Sequence, residues 1–324
     1  MPITGLLPIR IDRKQSASDL ERFASLGLPS MCRFLAPGLL KQLIIVASRK
    51  DAKIIKERLD CAIPFELAIL DEDDICPNVS GQRGWYKQQI LKLAAADFIS
   101  TDWYLTLDAD LICTRFIDER FLFPEGKAIW QRELASVHPD WWAGSRLVLH
   151  DGKHAALNGI VFGVTPALLH TASVKSLISR LSLLYRGSDW TVELLKNAHL
   201  DWTEYSLYWT HLSDSDTWRD LYSENCQGLY DLDSAWTPET AMKLSDTKLR
   251  SVFAHDSPWP FYVFQSRAGV PLSETIDLFR PYLDLPPTPL KLRVAHALHR
   301  LSAPAWRSAG NLKTLLRHIS NKAS

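Results

Sequence analysis

The strongest constraint on this chain is an alternation of short β-rich apolar runs with segments of helical period. "GLLPIRI", "QLIIVAS" (Gln42 to Ser48), "FELAIL" and "WYLTL" each have the length and composition of a strand. "DAKIIKERLD" and "GWYKQQILKLAAADF" lie among them and carry apolar residues at helical spacing. Ser18 to Leu40 reads as mostly helical with a break near Pro29. This order predicts βαβ units and an α/β fold: a Rossmann-like mixed, mostly parallel sheet flanked by helices.

Further along, "AIWQRE" and "LNGIVFGV" read as strands, and "HPDWWAG" as a Trp-rich loop. Pro166 to Tyr185 and "TVELLKNAHLDWTEYSLYWTHL" read as helical. "LRSVFAHDSPWPFYVFQS" reads as one more strand with an irregular end. A proline-rich hinge, "LDLPPTPLK", suggests a body over 1–284 and a tail over 285–324.

The strand "WYLTL" ends in Asp108 and Asp110, one residue apart. Two like charges at a sheet edge are costly unless something positive joins them. Paired carboxylates there suit Mg²⁺ or Mn²⁺, which bridge to phosphate oxygens. In open α/β sheets, ligands bind beyond the carboxyl ends of the strands. A solvated turn after a strand is the plain alternative.

"YLTLDADLICTRF", preceded by "GWYKQQILKLAAADF", resembles the metal-binding core of GT-A-fold glycosyltransferases. More narrowly it is similar to a bacterial group of uncharacterised glycosyltransferase-like proteins. These share a G-W-x-x-Q-Q helix, an L-D-A-D strand end and a later E-Y element, over roughly residues 1 to 270. The resemblance implies a GT-A-type fold and a nucleotide-sugar donor, with UDP-sugar favoured, held through Mn²⁺ or Mg²⁺ on Asp108 and Asp110. It implies a late histidine ligand, for which His255 is the candidate, with Asp256 weaker. It also implies transfer to a glycan or glycolipid hydroxyl, of the bacterial surface polysaccharide type.

On the helix "GWYKQQILKL", Gln88, Gln89 and Lys92 share a face, from which Gln88 or Lys92 can touch phosphate or sugar hydroxyls. A solvent-facing polar stripe fits equally. Trp85 can stack on a ring or anchor the core. In "LNGIVFGVTP", Asn158 can bond a sugar hydroxyl, and Gly159 can admit close backbone approach or mark a bulge. The resemblance to an inverting GT-A enzyme also implies a carboxylate base for the acceptor in this part of the chain, for which Glu204 is the candidate, against a capping box with Asp201 as N-cap. Tyr205, Trp141 and Trp142 are the candidate acceptor-site aromatics.

The other classes are weaker on particular residues. A haloacid-dehalogenase-like phosphotransferase also carries D-x-D, but its pair follows the first strand, whereas here it follows several. A nucleotidyltransferase would place glycines after strand one, and "LLPIRIDRKQS" has none. A non-catalytic carbohydrate-binding protein remains open, since twelve Trp would serve it.

Formal net charge is zero, which favours no nucleic-acid partner. Five scattered Cys without CxxC spacing fit a reducing compartment. The N-terminus lacks a signal-like apolar core, and no apolar run reaches the about 18 to 20 residues of a span. These features predict a cytoplasmic protein. After Asp284 the chain has no acidic residue, while Lys291, Arg293, Arg300 and Arg317 follow among apolar stripes. Such a basic helical tail can rest on an anionic membrane surface, cap the domain or make a dimer.

Overall fold

The computed structural model describes residues 1–11, 19–59, 62–79, 82, 84–150 and 159–287. The expected tail helices and Asn158 lie outside these residues. The described chain divides into two compact units. One comprises Met1–Arg10, Leu35–Asp108 and Ile117–Leu229; the other comprises Ile11–Phe34, Ala109–Phe116 and the chain from Tyr230.

In the first unit, β1 (Ile3–Pro8), β2 (Leu40–Ala47), β3 (Glu66–Asp71) and β4 (Trp103–Thr106) are mutually parallel in the order β3-β2-β1-β4. All six residues of β1 are buried, as the near-continuous apolar run of a parallel strand covered on both faces requires. The sheet continues past β4 to an antiparallel edge strand at Ala167–His170, register Trp103↔His170 and Thr106↔Ala167. The α/β class and the mostly parallel mixed sheet are therefore as expected. The Pro166 to Tyr185 reading is corrected in part: its first residues are that edge strand, and the helix runs Thr171–Leu184. Tertiary pairing with β4 overrides a short apolar segment with no period of its own.

The helix Trp85–Ala94 starts at Gly84, whose φ of 117° lies where a Cβ is disfavoured. The Trp-rich segment is a helix, Pro139–Val148, rather than a loop. It packs closely on the turn before the helix Glu204–Ser215: a Cβ on Gly144 would meet Leu200 O at 1.6 Å. Ser145 and Ser206 hydroxyls bond at 2.6 Å beside it. Gly144→Ala is expected to cost about 1–3 kcal/mol or more, because backbone must move. A fall in the urea midpoint measures this; an unchanged midpoint contradicts the packing.

Asp189 caps the helix Trp190–Lys196 by accepting from Thr191 and Val192 N–H. Partial burial raises its pKa, but the bonds from Thr191 and Asn78 outweigh this and lower it. Asp189→Ala should therefore cost about 1 kcal/mol near neutrality. That contribution is complete above about pH 3.9 and is lost as the pH falls through the lowered folded value. Urea titrations at pH 7 and pH 2.5 check this: the gap between wild type and variant should narrow at the lower pH.

The second unit packs the helices Leu28–Phe34, Asp246–Val252 and Leu272–Leu283 around a two-stranded antiparallel pair, Leu111–Cys113 with Phe261–Val263. Leu26, Ile112, Tyr262, Phe264 and Phe279 are in its core. The segment "LRSVF" is helical here, which corrects the strand reading. Ser245 caps that helix by accepting from Lys248 N–H, and Leu249 and Val252 are buried one turn apart, so the apolar spacing is helical. No helix among the described residues is long and apolar enough to cross a membrane.

Candidate active site at the end of the central strand

The chain order places a reversal between β1 and β4: β2 and β3 extend to one side of β1, β4 to the other. In open α/β sheets this switch point, at the carboxyl ends of the strands, is where ligands bind. Leu107 N–H donates to Leu6 O at 2.8 Å and prolongs the β1–β4 pairing by one residue. Asp108 follows immediately, its side chain 40% exposed.

Lys92 meets Asp108 from the helix Trp85–Ala94 and is itself 2% exposed. Its Nζ lies 3.0 Å from Asp108 Oδ1, 3.1 Å from Glu204 Oε1, 2.9 Å from Thr165 Oγ1 and 3.2 Å from Tyr205 OH. Four oxygens share three N–H donors. Thr106 Oγ1 donates to Ala167 O at 3.2 Å, so the Tyr205 hydroxyl, 2.9 Å away, donates to Thr106.

The sequence builds this locally. Thr106 and Asp108 are two residues apart along an extended chain and so share a face. Glu204 and Tyr205 open the helix Glu204–Ser215, whose N-cap is Thr203 in a reciprocal capping box with Ser206. The expected cap at Asp201 is thereby corrected: Asp201 has φ 55° in the turn before, and accepts from Tyr86 OH at 3.1 Å. Its bond and partial burial push the Tyr86 phenol up to about 12, burial being the larger cause.

Burial disfavours a charged Lys92, but Asp108, Tyr205 and Glu204 outweigh it and hold its pKa well above the ordinary lysine range. Burial raises the Glu204 carboxyl, with Lys92 opposing. One cation thus serves two carboxylates, leaving excess negative charge where Asp108 meets solvent.

Asp110 belongs to the second unit. Its Oδ2 accepts from Ser266 N–H at 3.1 Å, and its backbone O from Phe264 N–H at 3.0 Å. Arg22, 5% exposed, is the nearby cation: burial lowers its pKa, while Asp110 and Asp19 oppose that. The protein itself therefore supplies a positive group to each aspartate.

Several expected roles change with this geometry. Lys92, expected at phosphate or sugar hydroxyls, has its Nζ buried among four protein oxygens. Glu204, the expected base, is fully buried in an ion pair with Lys92. Tyr205, 4% exposed, belongs to the Lys92 cluster rather than to an acceptor surface. Trp142, 4% exposed, is core, whereas Trp141 on the same helix is half-buried. His255 is exposed in the turn after Asp246–Val252 rather than at a strand end, as is Asp256. Gly159 is exposed with φ 121°, so its conformation rather than a close approach requires glycine. Gln88 is half-buried. Thr106, Thr165, Arg22 and Ser266 are not singled out by the sequence in these roles; of these only Thr106 has a sequence signal, its two-residue offset from Asp108.

Among the described residues no group of three or more His, Cys, Asp or Glu is placed to hold a metal. Carboxylates such as Asp108 and Asp110 are oxygen donors of the kind a hard cation prefers. Mg²⁺ and Mn²⁺ sites of this kind use one or two carboxylates and complete the shell with phosphate oxygens and water.

The fold is that of an α/β protein with a charged cluster at the switch point of a mostly parallel sheet. By sequence the chain belongs to the family described as "Family of unknown function (DUF6492)", whose model matches residues 1–286. No curated protein matches it. Among solved structures it is similar to mouse xyloside xylosyltransferase 1, apo form, at 16% identity and TM-score 0.47, over 84% of this chain and 100% of that one. It is similar to the glycosyltransferase GlyE of Streptococcus pneumoniae TIGR4 at 15% identity and TM-score 0.43, over 92% and 64%. Glucosyl-3-phosphoglycerate synthase from Mycobacterium tuberculosis, in complex with Mn²⁺ and UDP-glucose, aligns over 34% of each chain at 21% identity and TM-score 0.24. At these scores the likenesses assign no residue and no activity to this chain.

Proposed function

We propose that this protein is a metal-dependent glycosyltransferase that moves a sugar from a nucleoside diphosphate sugar, a UDP-sugar in the first instance, to a glycan or glycolipid hydroxyl. The observation that carries it is Asp108: a partly exposed carboxylate at the switch point, held by a buried lysine that also answers to Glu204. The D-x-D strand end and its G-W-x-x-Q-Q helix support the same reading.

In this proposal Asp108 and Asp110 are the residues that would hold Mn²⁺ or Mg²⁺, which would supply charge neutralisation for a diphosphate leaving group. Lys92 positions Asp108, and Glu204 positions Lys92. Arg10, exposed just past the carboxyl end of β1, takes the phosphate contact that Lys92 is too buried to make. His255 is carried as a further ligand, and Gln88 and Gly159 as donor contacts, on the resemblance alone. Trp141 faces the acceptor. Surface-polysaccharide synthesis and a membrane-resting tail belong to the same proposal.

Release of UDP from UDP-glucose, UDP-galactose and UDP-xylose, with Mn²⁺ and with chelator, tests it. Metal-dependent release with at least one donor is expected. Glycan binding with no nucleotide turnover or binding would favour the non-catalytic carbohydrate-binding reading instead.

A further inference from the structure

Trp85, Gln89 and Lys92 stand at i, i+4 and i+7, so two helical turns align them on one face. The structure uses that alignment. With its amide turned to satisfy both neighbours, Gln89 donates to Glu204 and accepts from Trp85 Nε1 at 3.1 Å. A continuous run of polar contacts therefore links Trp85 through Gln89 and Glu204 to Lys92 and Asp108.

Trp85 is anchored by its ring edge yet 46% exposed, at the first position of a helix whose next residues are largely buried. Tyr86 meets it edge-on at 5.0 Å between centroids. Trp141 lies at 6.2 Å with the rings tilted by 37°. His138 stacks on Trp141 at 3.7 Å and fixes that ring in turn. Burial does not explain a large indole held this firmly with so much of its surface in water.

We infer that Trp85 and Trp141 form a stacking site for a pyranoside ring, with Trp85 as the platform and Trp141 as its side wall. This rests on the proposed transferase reading and names its acceptor: a saccharide, rather than a protein or a bare lipid. A pyranose presents a face of axial C–H groups that packs on an indole while its hydroxyls stay in water. Anchoring by the edge keeps the indole plane fixed, so little ordering entropy opposes stacking. Lys92 lies seven residues along the helix, about 10 Å at 1.5 Å per residue. That separation leaves room for the reacting ring between a sugar on Trp85 and the donor end of the site. The platform thus holds a ring next to the reacting one, and the acceptor is at least a disaccharide or its glycolipid equivalent.

Saturation-transfer-difference NMR on the full chain tests this, with maltotriose, cellotriose and xylotriose at millimolar concentration and neither nucleotide nor metal. Transfer to ring C–H protons of at least one trisaccharide is expected, falling at least fivefold in Trp85→Ala and largely kept in Trp85→Phe. Circular dichroism checks that Trp85→Ala folds; Trp141→Ala, also expected to weaken transfer, serves if it does not. No transfer with any of the three, or transfer undiminished in both alanine variants, overturns the site. Binding of UDP with Mn²⁺ is measured on the same samples and separates the two claims. UDP binding without sugar transfer leaves the donor reading intact and removes the platform. Sugar transfer without UDP binding keeps the platform and removes the donor reading.

Discussion

Lys92→Met is expected to lower the free energy of unfolding by about 3–5 kcal/mol, the usual effect of removing one partner of a buried ion pair. The physical reason is Glu204. It is fully buried, and Lys92 is the cation at 3.1 Å from its carboxylate. Methionine fills much of the same volume, so the loss is electrostatic rather than a cavity. Asp108 suffers less, because solvent reaches it. The double variant Lys92→Met/Glu204→Gln should recover about 1–3 kcal/mol of the loss, a coupling typical of contacting groups in one network. Urea unfolding of the two single variants and the double variant measures the cycle. A single-variant loss below about 1 kcal/mol would mean that the cluster is not the buried ion pair described.

The second large effect is catalytic. Asp108→Asn is expected to reduce metal-dependent turnover of the donor about 10³-fold, since metal stabilisation of developing charge is worth several kcal/mol and 1.36 kcal/mol is a factor of ten. Stability should change by no more than about 1 kcal/mol: the side chain is isosteric and partly exposed, and Lys92 keeps Glu204. Glu204→Gln should act differently. It leaves Asp108 and Asp110 in place, disturbs Lys92, and costs the 10–100-fold typical of a group that orients a ligand from behind. Steady-state rates of the two variants, read beside their urea midpoints, distinguish the roles. Equal losses of turnover would contradict the assignment of Asp108 to the metal and Glu204 to positioning.

Much of the first unit is legible in the sequence, because its elements announce themselves locally. Apolar runs define β1 to β4, and Gly84 with the period of "WYKQQILKLA" defines the helix that follows it. The D-x-D at the end of "WYLTL" is legible for the same reason. Other features depend on partners far along the chain. The edge strand Ala167–His170 exists because β4 offers it hydrogen bonds, and nothing within "PALLH" says so. The helix Asp246–Val252 was hidden by "SVF", which is apolar enough to pass for a strand, although Ser245 before Asp246 is a cap signal. Glu204 reads as an active-site base in sequence because the GT-A resemblance asks for a carboxylate in that part of the chain and aromatics crowd round it. Only the fold shows that Lys92, more than a hundred residues away, already claims it. The second unit draws on three stretches far apart in sequence, Ile11–Phe34, Ala109–Phe116 and the chain from Tyr230, so no local pattern marks it.

Calorimetric titration of UDP into the full chain, with Mn²⁺ and again with chelator, tests the central claim most directly, with Asp110→Ala alongside. Binding that needs both the metal and Asp110 is the predicted result. Absence of binding by the folded protein, for UDP and for other nucleoside diphosphates with Mn²⁺ present, would contradict it.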